Sequence, residues 1–154
     1  MSGDMEDGLR EYERRCMAAA NRGVAKAAMR LLDDSINETP GVPIDEGTLR
    51  GSGSAHVDGQ LEQVAPVVGG TPTPMTDPIP EDKVFGSIVA SVGFNTPYAA
   101  VMHEGEWKSG PLAGVKIQNY NDPGTGEKFL ERPMSENRDT YLGIVAKEIG
   151  GVSR

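Results

Sequence analysis

Asn95-Thr96-Pro97-Tyr98-Ala99-Ala100-Val101-Met102-His103-Glu104-Gly105 decides how this chain reads, together with Lys128-Phe129-Leu130-Glu131-Arg132-Pro133-Met134 further on. In the first stretch Thr96 is placed to cap a helix, and Pro97 fits its first helical position, where no N–H is needed. Tyr98 to His103 then predicts a short helix halted at Gly105, the residue type that accepts a left-handed cap. His103-Glu104 closes the stretch as either chemistry or architecture.

Working outward, Val84 to Phe94 is the best strand candidate. Val84, Ile88, Val92 and Phe94 would lie on one face, and Phe85, Ser87, Val89 and Ser91 on the other. On the far side, a last helix is predicted over Pro133 to Ile149. Its apolar face is Met134, Tyr141, Leu142, Val145 and Ile149, and Gly150-Gly151 stops it. Near the start of the chain, Asp4 to Asn37 predicts one long helix, ended by Thr39-Pro40. Leu9, Tyr12, Cys16, Ala20, Val24, Ala27, Leu31 and Ile36 recur at steps of three to five and make a narrow, alanine-rich stripe. That stripe suits either packing on the chain's own sheet or close contact with a neighbouring subunit. Gly8 and Gly23 weaken the helix, and Asn21-Arg22-Gly23 is the expected kink. Between the helices, Asp45-Glu46-Gly47 signals a turn, and strands are expected over Leu49–Val57 and around Val64. Residues 58–83 and 106–126 read as two long loops, with 69–82 extended and mobile. The expected fold is one α+β domain over 1–154. A small, mainly antiparallel sheet packs against the long N-terminal helix and the C-terminal helix.

Composition narrows the function classes. The chain has 154 residues, of which 37% are hydrophobic and 5% aromatic, with 20 glycines and 11 prolines. So thin a core, with so much loop, favours stabilisation by oligomerisation. The net charge is -8 and no cluster of five or more basic residues occurs, which argues against a nucleic-acid binder or a membrane-surface protein. Cys16 is the single cysteine, so an intrachain disulfide and a cysteine metal site are both excluded. The N-terminus lacks the apolar core of a signal peptide, and no run approaches a membrane span, so a soluble, cytoplasmically made protein is expected.

Catalytic constellations are sparse. His103-Glu104 lacks the second histidine of His-Glu-x-x-His, and His56 lies in another element. Cys16 sits on the helix stripe, where a small buried hydrophobe is the ordinary reading. Gly51-Ser52-Gly53-Ser54 lacks the Lys-Ser/Thr of a phosphate loop. Trp107, alone in a polar loop, reads as a satellite core anchor or a partner contact. Neither a cofactor nor a metal is expected.

The order of three blocks resembles a known family. Pro43-Ile44-Asp45-Glu46-Gly47-Thr48-Leu49-Arg50-Gly51-Ser52 follows the long helix, then Tyr98-Ala99-Ala100-Val101-Met102-His103-Glu104-Gly105, then Phe129-Leu130-Glu131-Arg132-Pro133-Met134 before the last helix. This is similar to the head–tail joining proteins of tailed bacteriophages, also called tail-completion, neck or minor capsid proteins. The resemblance implies a structural, non-enzymatic virion neck component that joins the DNA-filled head to the tail. It implies a homo-oligomeric ring of six or twelve copies around the genome exit channel. Adjacent neck, portal-side or tail-tube proteins would be its partners, and DNA would pass without specific binding. Six copies at -8 each would carry on the order of -48, a wall that repels phosphate. Asp45, Gly47, Leu49, Arg50, Tyr98, Glu104, Gly105, Phe129, Leu130 and Pro133 are the motif positions expected to hold the fold, and loops 58–83 and 106–126 those expected to reach neighbouring rings. A tail-terminator or other minor capsid protein is the nearest alternative. A small hydrolase using His103 and Glu104 is the alternative of another class.

Overall fold

The computed structural model describes residues 2–43, 47–66, 72–76, 79, 83, 86–120 and 122–152. The architecture is α+β. A three-stranded antiparallel sheet packs against a long N-terminal helix, which also carries the C-terminal helix.

Helix α1 runs Ser2–Asn37 without a break, so Asn21-Arg22-Gly23 does not interrupt it. Its buried positions differ in part from the expected stripe. Ala25, Ala28, Leu32 and Ile36 are covered, whereas Leu9 is exposed. The reason is that α1 serves two neighbours along two lines. Ala28, Leu32 and Ile36 meet Ala55 and Ala65 of the sheet layer, with Val92 and Phe94 packed against them. Gly23 instead faces the C-terminal helix α5, Arg138–Gly150. A Cβ at Gly23 would stand 2.8 Å from the Val145 Cα, so this glycine sets the distance between the two helices.

Strand β1, Gly53–Val57, is central, between β2, Gln60–Val64, and β3, Ala90–Phe94. Every residue of β1 is buried. Asp58 and Gly59 both have positive φ and make the two-residue turn from β1 to β2, so a tight hairpin opens the segment expected as loop from residue 58. The expected strand Leu49–Val57 begins late. Residues Thr48–Gly51 form a helical turn, α2, closed by Gly51 N–H to the Gly47 carbonyl and Ser52 N–H to the Thr48 carbonyl.

The strand expected over Val84–Phe94 is shorter too. Val84 and Phe85 lie outside the described residues, Gly86 turns at φ 79°, and pairing begins only at Ala90. β1 ends at Val57, and beyond it Asp58 finishes the ladder. Its N–H donates to the Val89 carbonyl, and its carboxylate accepts from the Val89 N–H and the Lys83 ammonium.

The 69–82 stretch, expected as a mobile loop, falls partly outside the described residues, namely 69–71, 77–78 and 80–82. Its described part is packed on the sheet. Met75 N–H donates to the Ser54 hydroxyl, Thr73 N–H donates to the Gly51 carbonyl, and a Cβ at Gly93 would meet the Met75 sulfur at 2.5 Å.

The last helix is divided. Glu131–Glu136 forms α4, and α5 restarts after Asn137. The Asn137 side-chain amide donates to Asp34 and to Glu38 at the end of α1, and the Tyr141 hydroxyl donates to Asp34 at 2.8 Å. Burial first, and then the Asp34 carboxylate, push the Tyr141 hydroxyl up to about 12. Among the described residues no helix is long and apolar enough to cross a membrane.

Two of the α1 glycines, Gly8 and Gly23, should respond to alanine with opposite signs. Gly8→Ala has open space and should stabilise the chain by about 0.5–1 kcal/mol. Gly23→Ala forces α1 from α5 and should destabilise it by about 1–3 kcal/mol despite better helix propensity. Urea unfolding of dilute protein reads both.

Candidate functional site

The three sequence blocks meet at Phe129. Its ring is 1% exposed and shares a cluster with Val42 and Leu49, against which Phe94, Ala99, Met102 and Leu130 pack. Phe94 lies edge-on to it at 5.3 Å between centroids, and His103 edge-on at 5.0 Å. Such aromatic pairs contribute about 0.5–1.5 kcal/mol each beyond area burial. Helix α3, Ala99–Glu104, brings the second block to this point, and Gly105 caps it in the left-handed conformation with its N–H on the Val101 carbonyl.

Beside the ring lies a polar hub. Glu131 N–H donates to His103 Nε2 at 3.2 Å, which leaves the imidazole proton on Nδ1, facing Glu104 Oε1 at 3.1 Å. The Lys128 ammonium sits between two carboxylates, 2.8 Å from Glu104 and 2.9 Å from Glu131. Lys128 itself has φ 58°, an uncommon conformation for a lysine, and its N–H donates to the His103 carbonyl at 2.7 Å. The Lys128 ammonium, and secondarily His103, hold the Glu104 carboxyl down to about 2. Glu104 in turn raises Lys128.

One atom each from His103, Glu104 and Glu131 lies within 4.8 Å of the others, the spacing of a potential cation site. The hub already has its cation in Lys128, and both imidazole nitrogens are engaged. The chemistry available to His103 and Glu104 here is therefore ion pairing and hydrogen bonding around a core aromatic.

The motif positions divide by role. Leu49, Phe129 and Leu130 form or flank the core cluster. Pro133 is buried in the first turn of α4, where its missing N–H is harmless, and its carbonyl accepts from Asn137. Gly47 has φ 80° and starts α2. Gly105 has φ 67°, a conformation that favours glycine, and a Cβ there would also press on the end of the Glu127 side chain. Arg50 is half-buried, with Nε lacking a partner among the described residues, and Asp45 lies outside them. Tyr98 is 40% exposed. Its carbonyl, which accepts from Met102 N–H, holds the start of α3. Thr96 does not cap α3 with its hydroxyl, which is buried without a partner among the described residues. Its carbonyl accepts from Ala99 N–H instead.

The 106–126 loop contains a hairpin. Trp107 N–H donates to the Val115 carbonyl, Gly114 N–H to the Trp107 carbonyl and Ile117 N–H to the Gly105 carbonyl. Trp107, Leu112 and Val115 are all exposed on it. Lys128 has no mark in the sequence, because it meets Glu104 only once the chain has returned across the intervening loop. The same is true of an open apolar groove between α1 and α4–α5, whose walls come from three distant segments.

Comparison with known proteins gives no matching family model, no matching curated protein and no matching solved structure.

Acid should weaken the hub. Because folding lowers the Glu104 carboxyl from 4.5 to about 2, its contribution is complete above about pH 4.5 and is lost as the pH falls towards 2. Glu104→Gln should melt below the wild type at pH 7, and the gap should close between pH 4.5 and pH 2.5. Thermal melts followed by circular dichroism across that range test this, and a gap independent of pH would contradict it.

Proposed function

We propose that this chain is a structural subunit of a tailed-bacteriophage neck, joining the DNA-filled head to the tail as part of a ring around the genome exit. The observation that carries the proposal is the convergence of its three sequence blocks. Leu49 from the first, Ala99, Met102 and His103 from the second, and Phe129-Leu130 from the third form one continuous packing unit. Blocks that resemble a family's motifs in order would be expected to meet in this way if they specify a shared fold. A structural role for the unit is supported by the pairing of Lys128 with both Glu104 and Glu131 beside the ring.

Three further features favour an assembly subunit. Met5, Leu9, Met134 and Leu142 leave large apolar side chains in solvent. The 106–116 hairpin presents Trp107, Leu112 and Val115 outward, as a contact for an adjacent neck or tail protein. The net charge of -8 suits a channel through which DNA slides. On this reading the chain acts in the virion, with no cofactor and no catalytic step.

A phage lacking this gene should accumulate filled heads and separate tails, and restoring the gene should restore joined particles in electron micrographs. Normal virions from the null phage would refute the proposal. Trp107→Ala should leave the melting temperature within about 2 °C, because the indole is 40% exposed, yet reduce the yield of joined particles.

A further inference from the structure

Helix α1, with 36 residues, is about 54 Å long at 1.5 Å per residue. A compact body of this chain length is only about 38 Å across. The helix therefore outruns the body. No residue from 3 to 18 is buried, whereas Ala19 is fully covered, and beside it Glu148 near the end of α5 pairs with Arg22 and Lys26. At 100° per residue, Met5, Leu9, Tyr12 and Cys16 share one line, which continues through Ala19 to Gly23 against α5. The stripe on which α5 packs thus runs on for about three more turns, half-buried at Cys16 and Tyr12 and exposed at Leu9 and Met5. Met5 is 72% exposed and Leu9 62%.

A projecting helix of that length is marginal in water, and Gly3 and Gly8 weaken it by about 1 kcal/mol each. Its helicity calls for a covering surface. The molecule carries one of suitable chemistry. An open groove of about 940 Å³ lies between α1 and α4–α5 along β3, walled by Val24, Ala27, Leu31, Met134, Leu142 and Val145. The arm cannot enter its own groove, because it is the continuation of the helix that forms one wall. Charge matches between copies. The first two turns of the arm carry Asp4, Glu6 and Asp7 and no basic residue. Arg138 in the groove lining and Arg132 beside it are exposed, and neither forms an ion pair among the described residues, whereas Glu131, which also lines the groove, is already paired with Lys128.

We propose that residues 2–17 of one copy dock the Met5–Leu9 stripe into the α1/α4–α5 groove of a second copy, with the acidic tip against Arg138 of that copy. Donor and acceptor faces differ, so the contact is head-to-tail. It propagates, and closes into a ring when the rotation per copy divides a full turn. The proposal names the contact that the neck-ring reading requires, and rests on that reading for closure.

Crosslinking of the full-length chain tests it. In a Cys16→Ser background, Leu9→Cys combined with Leu142→Cys, treated with a short bis-maleimide, should give a ladder of multimers ending at the ring's copy number. Mixing the two single variants should give dimers only, and each single variant alone should stay monomeric on the gel. Dimers from Leu9→Cys alone would place arm against arm and overturn the groove contact. Rings in electron micrographs without the ladder would overturn the contact and leave the ring reading standing. A ladder on open filaments would keep the contact and overturn the ring. A monomer at all concentrations with no ladder would overturn both. Met5→Asp with Leu9→Asp should weaken self-association about tenfold or more by light scattering, with the melting temperature of the dilute monomer unchanged. Association unaffected by that pair would also overturn the contact.

Discussion

Phe129 edge-on to Phe94 and to His103 is the contact through which separate segments of this chain become one body. Phe94 ends the edge strand of the sheet, His103 belongs to the short helix that follows it, and Leu49 reaches the same ring from the turn before β1. The sheet has only three strands, and its own apolar cluster with α1 is built largely of alanines. Small side chains let α1 lie close on the sheet but bury little area each. The aromatic cluster supplies the bulk that the alanine layer lacks, and it does so where residues far apart in sequence must arrive together. Truncating Phe129 would leave a cavity at that junction, the kind of change that costs about 3–5 kcal/mol.

Legibility in the sequence followed the range of the interactions involved. Helix α1 could be read because its pattern is local and long. Its burial could be read only in part, because one period cannot show that the helix serves a sheet along one line and α5 along another. The hairpin at Asp58-Gly59 carries an established short-range turn signal, and the glycine- and proline-rich stretch after it obscured a turn that residue type alone specifies. The division of the last helix at Asn137 could not be read, since the acceptors for that amide are Asp34 and Glu38, about a hundred residues earlier. Likewise the late start of β3 reflects where β1 ends, a property of the partner strand.

At the candidate site, residue types were readable and relationships were not. His103-Glu104 stood out as adjacent titratable groups, and the absence of a second nearby histidine argued against zinc-protease chemistry. What the sequence could not show is that Lys128 returns to neutralise Glu104, or that Glu131 N–H fixes the imidazole tautomer. Both depend on the loop closing so that the backbone of Lys128 meets the carbonyl of His103. Tyr98 shows the converse, a conspicuous aromatic whose ring faces solvent while its carbonyl does the holding.

The left-handed backbone at Lys128 has a consequence of its own. A lysine gives up some intrinsic preference to adopt it, and glycine would adopt it freely but bring no cation. That conformation is held by the Lys128 N–H on the His103 carbonyl, while the side chain reaches the two carboxylates and the next residue, Phe129, enters the core. One left-handed residue thus lets adjacent positions serve opposite environments, a cation turned to the partly exposed hub and an aromatic ring turned to the interior.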